Sequence, residues 1–518
     1  MRASTILAIG PCCGVLVAWA AEVAVAQTEG RALGGEPAPL APIAADLPAF
    51  PLVEAAARGD VAAVRAMLAA GNIDVNAATR LGVAPLHVAI AQGDAATTRL
   101  LLEHGADVAK PDRAGELPLM LAARRGVPEV AKALLEHGAA VDARDASFGQ
   151  TPLMLAVRDG HFEMAKLLLD SGADVDAQTS AVAPPRFIPP SESPPGLSRG
   201  IGIIRAGWPD GRGKRFPAAG SKTPLLYAAR GGYLELAQLL IGRGAKLELA
   251  DGNGVTPLIS AILNASIFRV NRDGQSDHLE VANLLLDAGA NVNAMDWYGE
   301  TPLWATVDLR NLELGPAEKS TGVRDEALLL IERLLRAGAD ANARTKEFPH
   351  ERRYLVVAVG SVAWVDLTGQ TPFLRAAAAG DLAVMKLLLE HGADPNLATN
   401  GGTTPLMVAA GVNWAVGETY TEGPAALLAA VKLALELGND VNAVNTMGIA
   451  AIHGAANRGA NDVIEYLAAN GARLDIADAQ GRTPLDWAAG VFLATHPPVR
   501  KPDTIALLER LQAQGTHR

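Results

Sequence analysis

The chain has very little cysteine, and its two cysteines, Cys12 and Cys13, lie near the N-terminus. They fall within an interrupted apolar stretch from Ile6 to Ala21, which the small-x-small sequence Ala24-Val25-Ala26 follows. This pattern predicts a secretory signal peptide at residues 1–26 and export to the periplasm or the exterior. A retained membrane anchor and a lipid anchor on Cys12 are the alternatives. A chain cleaved there has no cysteine, which excludes disulfides and thiolate metal sites.

Aromatic residues and positive charge are also scarce. Phe, Trp and Tyr make up 4% of the residues, and the formal net charge is −11. An acidic chain is unsuited to general binding of nucleic acid or of anionic membranes, because both are polyanions. We therefore expect no nucleic-acid partner and, after removal of the signal peptide, no membrane span.

The sequence lacks the short motifs of common catalytic and metal sites. It has no Cys-x-x-Cys-His haem site, no Gly-x-Ser-x-Gly turn, no glycine-rich phosphate loop and no zinc-ligand spacing. Most of its histidines recur at fixed places of the repeat described below, which favours a structural role. These are His87, His104, His137, His161, His278, His391 and His453. We predict no cofactor, no metal and no catalytic residue.

One segment, Gln370 to Asn396, serves as the unit that the rest of the chain repeats. Thr371 has the residue type of a helix N-cap, and the proline after it suits the first helical position. Gly380 predicts the end of this first helix. Asp381 predicts the start of a second helix, which ends before Gly392. The unit is therefore predicted to be two short helices followed by a turn.

The Thr-Pro-Leu-like start recurs at intervals of 33 or 34 residues wherever nothing is inserted. Examples are Ala84-Pro85-Leu86-His87 and Thr151-Pro152-Leu153-Met154, and Leu100 to Val108 gives the matching second-helix end LLLEHGADV. The repeat length, the start of the first helix and the end of the second helix resemble those of the ankyrin repeat family. The C-terminal third of the chain is similar to exported bacterial members of that family. The resemblance predicts an all-α, ankyrin-repeat solenoid of about eleven helix-turn-helix units with short β-hairpin turns and several loop insertions.

We assign the solenoid to residues 51–518, after a Pro/Ala-rich linker at residues 27–50. Spacing between the repeat landmarks predicts two insertions on the turn side, at residues 179–220 and 345–368. The second contains two β-rich runs that predict a long hairpin. Four further insertions are predicted between the two helices of a unit and should follow one edge of the stack. They are residues 264–277, 308–325, 411–425 and 490–503.

The resemblance implies that turn tips and first helices line a concave face that binds protein partners. Between Thr179 and Lys222, basic residues outnumber acidic ones by five, which suits an acidic or anionic partner. A tolerated insertion without function is the alternative for this segment. Tryptophan is frequent at binding hot spots. The candidate partner-binding residues are Trp208, Arg212, Lys214, Arg215, Trp297, Tyr298, Trp304 and Trp364.

Packing within the stack is the alternative for Trp304, as it is for Trp487, because both follow a Thr-Pro-Leu start. The sequence thus favours a non-catalytic, monomeric protein-binding solenoid. Two other functions stay open. One is binding of a small ligand or glycan in an aromatic groove between Trp297 and Trp364. The other is an enzyme whose site the insertions would build from Asp210, His350, Glu351 or Asp366.

Overall fold

The unit that starts at Thr371 shows how the sequence determines the helix pair. Thr371 Oγ1 accepts a hydrogen bond from the Leu374 amide at 3.2 Å and so caps the first helix. Gly380 ends that helix in the left-handed conformation, at φ 71°. Asp381 then caps the second helix by accepting from the Val384 amide at 3.3 Å. The predicted cap, stop and second start are confirmed in this unit.

The structure, a computed structural model, describes residues 50–80, 82–112, 115–183, 218–265, 277–312, 321–346, 365–413, 423–491 and 498–515. These residues form 22 α-helices and no β-strand; their β-type contacts are isolated bridges, one of which is antiparallel and joins Val182 to Ala219. The predicted all-α class is confirmed. The signal peptide, nearly all of the linker and the long hairpin lie outside the described residues, as do Trp208, Arg212, Lys214, Arg215 and Trp364.

The helices form eleven pairs. The first helices are α1 Pro51–Ala57, α3 Pro85–Ala91, α5 Pro118–Arg125, α7 Pro152–Arg158, α9 Pro224–Gly231, α11 Pro257–Asn264, α13 Pro302–Arg310, α15 Pro372–Ala379, α17 Pro405–Ala409, α19 Ala451–Arg458 and α21 Pro484–Gly490. The second helices are α2 Val61–Ala69, α4 Ala95–Glu103, α6 Pro128–Glu136, α8 Phe162–Asp170, α10 Leu234–Gly242, α12 His278–Asp287, α14 Thr321–Arg336, α16 Leu382–Glu390, α18 Pro424–Glu436, α20 Asn461–Ala469 and α22 Pro502–Gly515.

The pairs stack into two helical layers. Each first helix packs against the first helices of the neighbouring pairs, and each second helix against neighbouring second helices. A continuous apolar core runs between the layers from Leu52 in α1 to Leu508 in α22. A single pair would leave its apolar faces in water, so each unit depends on its neighbours for burial. None of the described helices is long and apolar enough to span a membrane.

The turns between units are hydrogen-bonded but contain no paired strands in the described residues. Within one turn the Asp296 amide donates to the Glu300 carbonyl at 3.1 Å, and Asp112 does the same to Glu116 at 3.0 Å. One bond between the two arms is too few to form a β-ladder. The short β-hairpins expected from the sequence are therefore tight turns.

A row of side-chain hydrogen bonds also joins successive units. Asn293 Oδ1 accepts from the Asp340 amide at 2.8 Å, and its Nδ2 donates to the Gly338 carbonyl at 3.0 Å. Asn342 makes the same two bonds to the unit after it. These asparagines therefore satisfy backbone groups at the end of the next second helix, a role that turn propensity alone does not predict.

The helix bounds refine the segments predicted as insertions between helices. The segment 308–325 begins inside α13 and ends inside α14, which has 16 residues where most second helices have nine. The segments 411–425 and 490–503 likewise end inside α18 and α22. Subtraction of repeat lengths cannot reveal this, because a lengthened second helix and a loop add the same number of residues.

Candidate partner-binding surface

Trp297 and Tyr298 lie at the turn tip that precedes α13. Their rings meet edge to face, with centroids 4.9 Å apart and an interplanar angle of 83°. Tyr298 is buried, whereas Trp297 is half-buried and Met295 beside it is 39% exposed. The tip therefore presents an apolar surface to solvent, and the edge-to-face contact restrains the tryptophan ring.

Backbone hydrogen bonds hold this tip on both sides. The Trp297 amide donates to the Asn253 carbonyl of the preceding turn at 2.8 Å. On the other side, the Lys346 amide donates to the Tyr298 carbonyl at 2.7 Å. A partner that contacts Trp297 thus meets an anchored backbone, which lowers the entropic cost of binding.

The same row of bonds reaches the described ends of both turn-side insertions. The Gly252 amide donates to the Gly220 carbonyl at 2.9 Å, next to the end of segment 179–220. Lys346 lies at the start of segment 345–368, and the Asn400 amide bonds to the Thr368 carbonyl at 2.7 Å at its end. The two insertions therefore leave the stack on either side of the turns that carry Asn253 and Trp297.

Trp304 is located in the stack and not at its surface. It is 3% exposed in α13, at the helix position that His87 occupies in α3. Its indole Nε1 has no hydrogen-bond partner among the described residues. Trp487, at the next helix position of α21, is fully buried and donates to Asp478 Oδ2 at 2.9 Å. Both rings pack within the stack, which leaves Trp297 as the solvent-facing tryptophan of the described candidates.

Exposed apolar side chains at other turn tips were not anticipated from the sequence. Phe148 is 61% exposed and Val182 is 53% exposed, and the Ser180 amide bonds to the Phe148 carbonyl at 2.8 Å, so both lie near the base of segment 179–220. Val444, at a turn farther along, is 49% exposed. The sequence feature that could have predicted them is an apolar residue at a turn position where polar residues are usual.

The repeated histidines make structural hydrogen bonds. His104, His137 and His391 each place Nδ1 within 2.9 Å of the carbonyl oxygen four residues earlier. His87 Nδ1 accepts from the Ala84 amide at 3.0 Å, and Nε2 lies 2.9 Å from the Lys110 carbonyl oxygen of the next unit. Burial lowers the pKa of His87, against the smaller opposing effect of that carbonyl.

No group of three or more His, Cys, Asp and Glu side chains could hold a metal within the part of the chain that the structure describes. Of the residues considered for an enzyme site, Asp366 caps a turn by accepting from the Thr368 amide at 2.8 Å. Asp210, His350 and Glu351 lie outside the described residues.

Stacked helix pairs with projecting turns define a repeat solenoid, a class that binds along an extended surface. A family model described as ankyrin repeats (3 copies) matches residues 42–112, 108–179, 211–296, 323–416 and 425–491. The chain belongs to the ankyrin repeat family.

Curated relatives match part of the chain. Cyclin-dependent kinase 4 inhibitor B of Bos taurus is 41% identical over 121 residues, covering 23% of this chain and 82% of the relative. The Rattus norvegicus protein of the same name is 34% identical over 114 residues, covering 22% and 77%.

Solved structures match over a longer range. The ankyrin repeat domain of Bcl-3, a member of the IkappaB protein family, is 23% identical with a TM-score of 0.37, covering 54% of this chain and 97% of that one. The human ASB11 ankyrin repeat domain is 26% identical with the same TM-score of 0.37, covering 54% and 96%.

Proposed function

We propose that this protein is a non-catalytic binding protein that recognises a protein partner through its turn tips and first helices. The observation that carries the proposal is the tip at Trp297, a half-buried aromatic ring beside exposed Met295 on a backbone anchored to both neighbouring turns. Rigid aromatic anchors of this kind dominate protein interfaces. The relatives named as kinase inhibitors support the same class of activity, since their name describes action on another protein.

The turn-side insertions 179–220 and 345–368 extend this surface in the proposal. Support comes from their described ends, which join the row of turn tips on either side of Trp297. Phe148 and Val182 add exposed apolar area at the base of the first insertion. A partner that lies along the tips would therefore meet apolar anchors in several consecutive units.

The test is affinity capture with Trp297→Ala in the chain that lacks residues 1–26. The matched control is Phe162→Ala, which removes a ring that is 36% exposed at the start of α8, in the layer of second helices. We expect the control to retain the partners of the unaltered chain and Trp297→Ala to lose at least one, with unchanged circular dichroism. Identical partner sets for all three proteins would contradict the proposal.

A further inference from the structure

The junction between the seventh and eighth units differs from the others in the charge that it buries. Arg310 of α13 pairs with Asp381, the N-cap of α16, at 2.8 Å, and their side chains are 6% and 2% exposed. Arg375 of α15 pairs with Asp308 of α13 at 2.5 Å, and their side chains are 6% and 20% exposed. The two pairs cross the junction in opposite directions, since each unit supplies one cation and one anion. We name these four residues the ionic junction.

Uncharged groups occupy the equivalent place at other junctions. Arg310 lies eight residues after the proline that begins its first helix, and glycine holds that position in units 1 to 5 and in unit 8. A side chain of the next unit lies over the glycine, as Val127 does over Gly93 and Tyr233 over Gly160. The other ion pairs between described residues have cations whose side chains are at least 21% exposed. Buried charge therefore replaces uncharged packing between units 7 and 8.

The remaining polar contacts across this junction are of the same kind as elsewhere in the stack. Thr345 and Gln370 bond to each other beside the start of α15, so the turn that contains them belongs to unit 8. The Lys346 amide of that turn donates to the Tyr298 carbonyl of the preceding turn at 2.7 Å, and one such bond also joins the two turns before it. Asn342 makes the two bonds to the next second helix that the preceding asparagine makes. The ionic junction is therefore the feature that distinguishes the coupling of units 7 and 8.

Buried charge lowers the free energy needed to separate two packed units. Separating an apolar junction exposes hydrocarbon to water, and the cost grows with the apolar area exposed. Separating the ionic junction also returns two guanidinium groups and two carboxylates to water, and their hydration offsets part of that cost. Because the stability of a solenoid is approximately a sum of unit and junction contributions, the stack separates first at its weakest junction.

We propose that the solenoid opens at the ionic junction, so that units 8 to 11 unfold as one cooperative block while units 1 to 7 stay folded. The smaller block opens because it has fewer internal junctions. Opening also releases one of the two backbone anchors of the Trp297 tip, since the bond from Lys346 to Tyr298 crosses the same junction. A partner bound to turn tips on both sides of the junction would therefore favour the closed state. The inference does not rest on the proposed function.

The test is hydrogen exchange of the chain that lacks residues 1–26, measured by mass spectrometry at rising urea concentrations below the unfolding midpoint. We expect the backbone amides of α15 to α18 to share one opening reaction. Its urea slope should be smaller than that of global unfolding, because the slope scales with the surface exposed. The amides of α7 to α12 should exchange through the global reaction. A single reaction for all units, or a boundary at another junction, would overturn the inference.

The junction variant carries Arg310→Met and Asp381→Asn, which removes one buried pair but keeps a capping side chain on α16. Its matched control carries Arg333→Met and Asp287→Asn, the same exchanges at an ion pair that crosses the preceding junction with side chains 39% and 68% exposed. The junction variant should lower the opening constant of α15 to α18 about tenfold, as expected when apolar packing replaces a buried pair. The control should stay within about twofold of the unaltered chain, because exposed pairs contribute little.

An equal or larger opening constant in the junction variant would overturn the inference, because the buried pair would then strengthen the junction. An equal decrease in the control would overturn it as well. Asp308→Leu with Arg375→Met replaces the other buried pair and repeats the measurement if the first variant loses its circular dichroism. If exchange shows a single reaction while Trp297→Ala still loses its captured partner, the proposed function stands and only this inference is wrong.

Discussion

At the scale of single residues, buried imidazoles link one unit to the next. His453 Nδ1 accepts from the Ala450 amide at 3.0 Å, while Nε2 lies 3.3 Å from the Arg482 carbonyl oxygen in the following unit. Accepting at one nitrogen and donating at the other requires the neutral ring. A protonated ring would place two N–H groups against each other at Ala450, so these contacts respond to pH.

Acid should weaken the stack through three of these rings. Burial lowers the pKa of His87, His278 and His453. The unfolded chain takes up protons near a pKa of about 6.5, and the folded chain does so only at lower pH. The contribution of neutral rings is therefore complete above about pH 6.5 and declines as the pH falls toward the lowered folded pKa values. Urea unfolding midpoints at several pH values will measure the decline.

The variant His278→Gln isolates one ring, because the amide can still donate to the Arg230 carbonyl but does not titrate. Its unfolding midpoint should fall less between neutral and mildly acidic pH than that of the unaltered chain. His391→Gln, at an exposed helix end, serves as the comparison. Equal pH dependence of His278→Gln and the unaltered chain would rule out this contribution.

A glycine beside the same histidine carries a second residue-scale prediction. Gly232 has φ 65°, and a Cβ added there would lie 2.7 Å from His278 Nδ1. Gly244 has φ 85° with no heavy atom within 4 Å of an added Cβ. Both alanine variants bear the cost of the left-handed conformation, about 1–2 kcal/mol. Gly232→Ala should lose more stability in urea unfolding, because the imidazole must also move. Equal losses of unfolding free energy in the two variants would show that the His278 side chain can move aside without destabilising the fold.

At the scale of elements, the junction of α13, α14, α15 and α16 differs from the others. A buried Arg310 pairs with Asp381 at 2.8 Å, and Arg375 of α15 donates to the Asn311 carbonyl at 2.9 Å. Arg310 Nη1 also bonds to the Arg324 carbonyl of α14. Several other units end the first helix at a left-handed glycine, as Gly380 does in α15. By contrast, α13 ends at Arg310 without such a glycine, and the Arg310 side chain forms the buried ion pair with Asp381.

Removing the Asp381 side chain should therefore lower the free energy of unfolding more than removing a helix N-cap that has no buried ion pair. Asp381→Ala loses both the α16 cap and the buried partner of Arg310. Breaking a buried pair from one side costs about 3–5 kcal/mol. The control Asp94→Ala removes the equivalent cap of α4, which binds the Ala96 and Thr97 amides, and should cost about 1 kcal/mol. Urea unfolding will compare them, and losses of similar size would mean that the pair adds nothing to stability.

The helix pattern was predictable from the sequence, whereas the contacts between units were largely not. Thr371, Gly380 and Asp381 determine helix ends through bonds within four residues, so local residue types suffice. The Arg310 and Asp381 contact joins residues far apart in sequence, and nothing local marks either as buried. The same holds for the site. Sequence reasoning could name Trp297 and Trp304 as candidates, but their exposure depends on how neighbouring units pack.

At the scale of the whole molecule, each unit contacts only its neighbours, so an insertion at a turn need not disturb the core. The ends of segment 179–220 are held together by the stack. Val182 and Ala219 exchange two backbone bonds at 2.8 and 2.9 Å, and the Thr179 amide donates to the Lys222 carbonyl at 3.0 Å. On either side, α7 and α9 still pack directly. The junction is therefore closed without help from the residues between.

Replacing residues 183–218 with Asn-Gly should leave the solenoid folded. Asn-Gly is the preferred two-residue turn between a hydrogen-bonded antiparallel pair such as Val182 and Ala219. Closing a shorter loop costs less entropy, by about 0.6 kcal/mol per halving of length, so stability should be unchanged or higher. Circular dichroism and urea unfolding will measure this, and a loss of helical signal would show that the stack depends on the insertion. With the stack intact, loss of a captured partner would then assign recognition to the insertion, because Trp297 would remain in place.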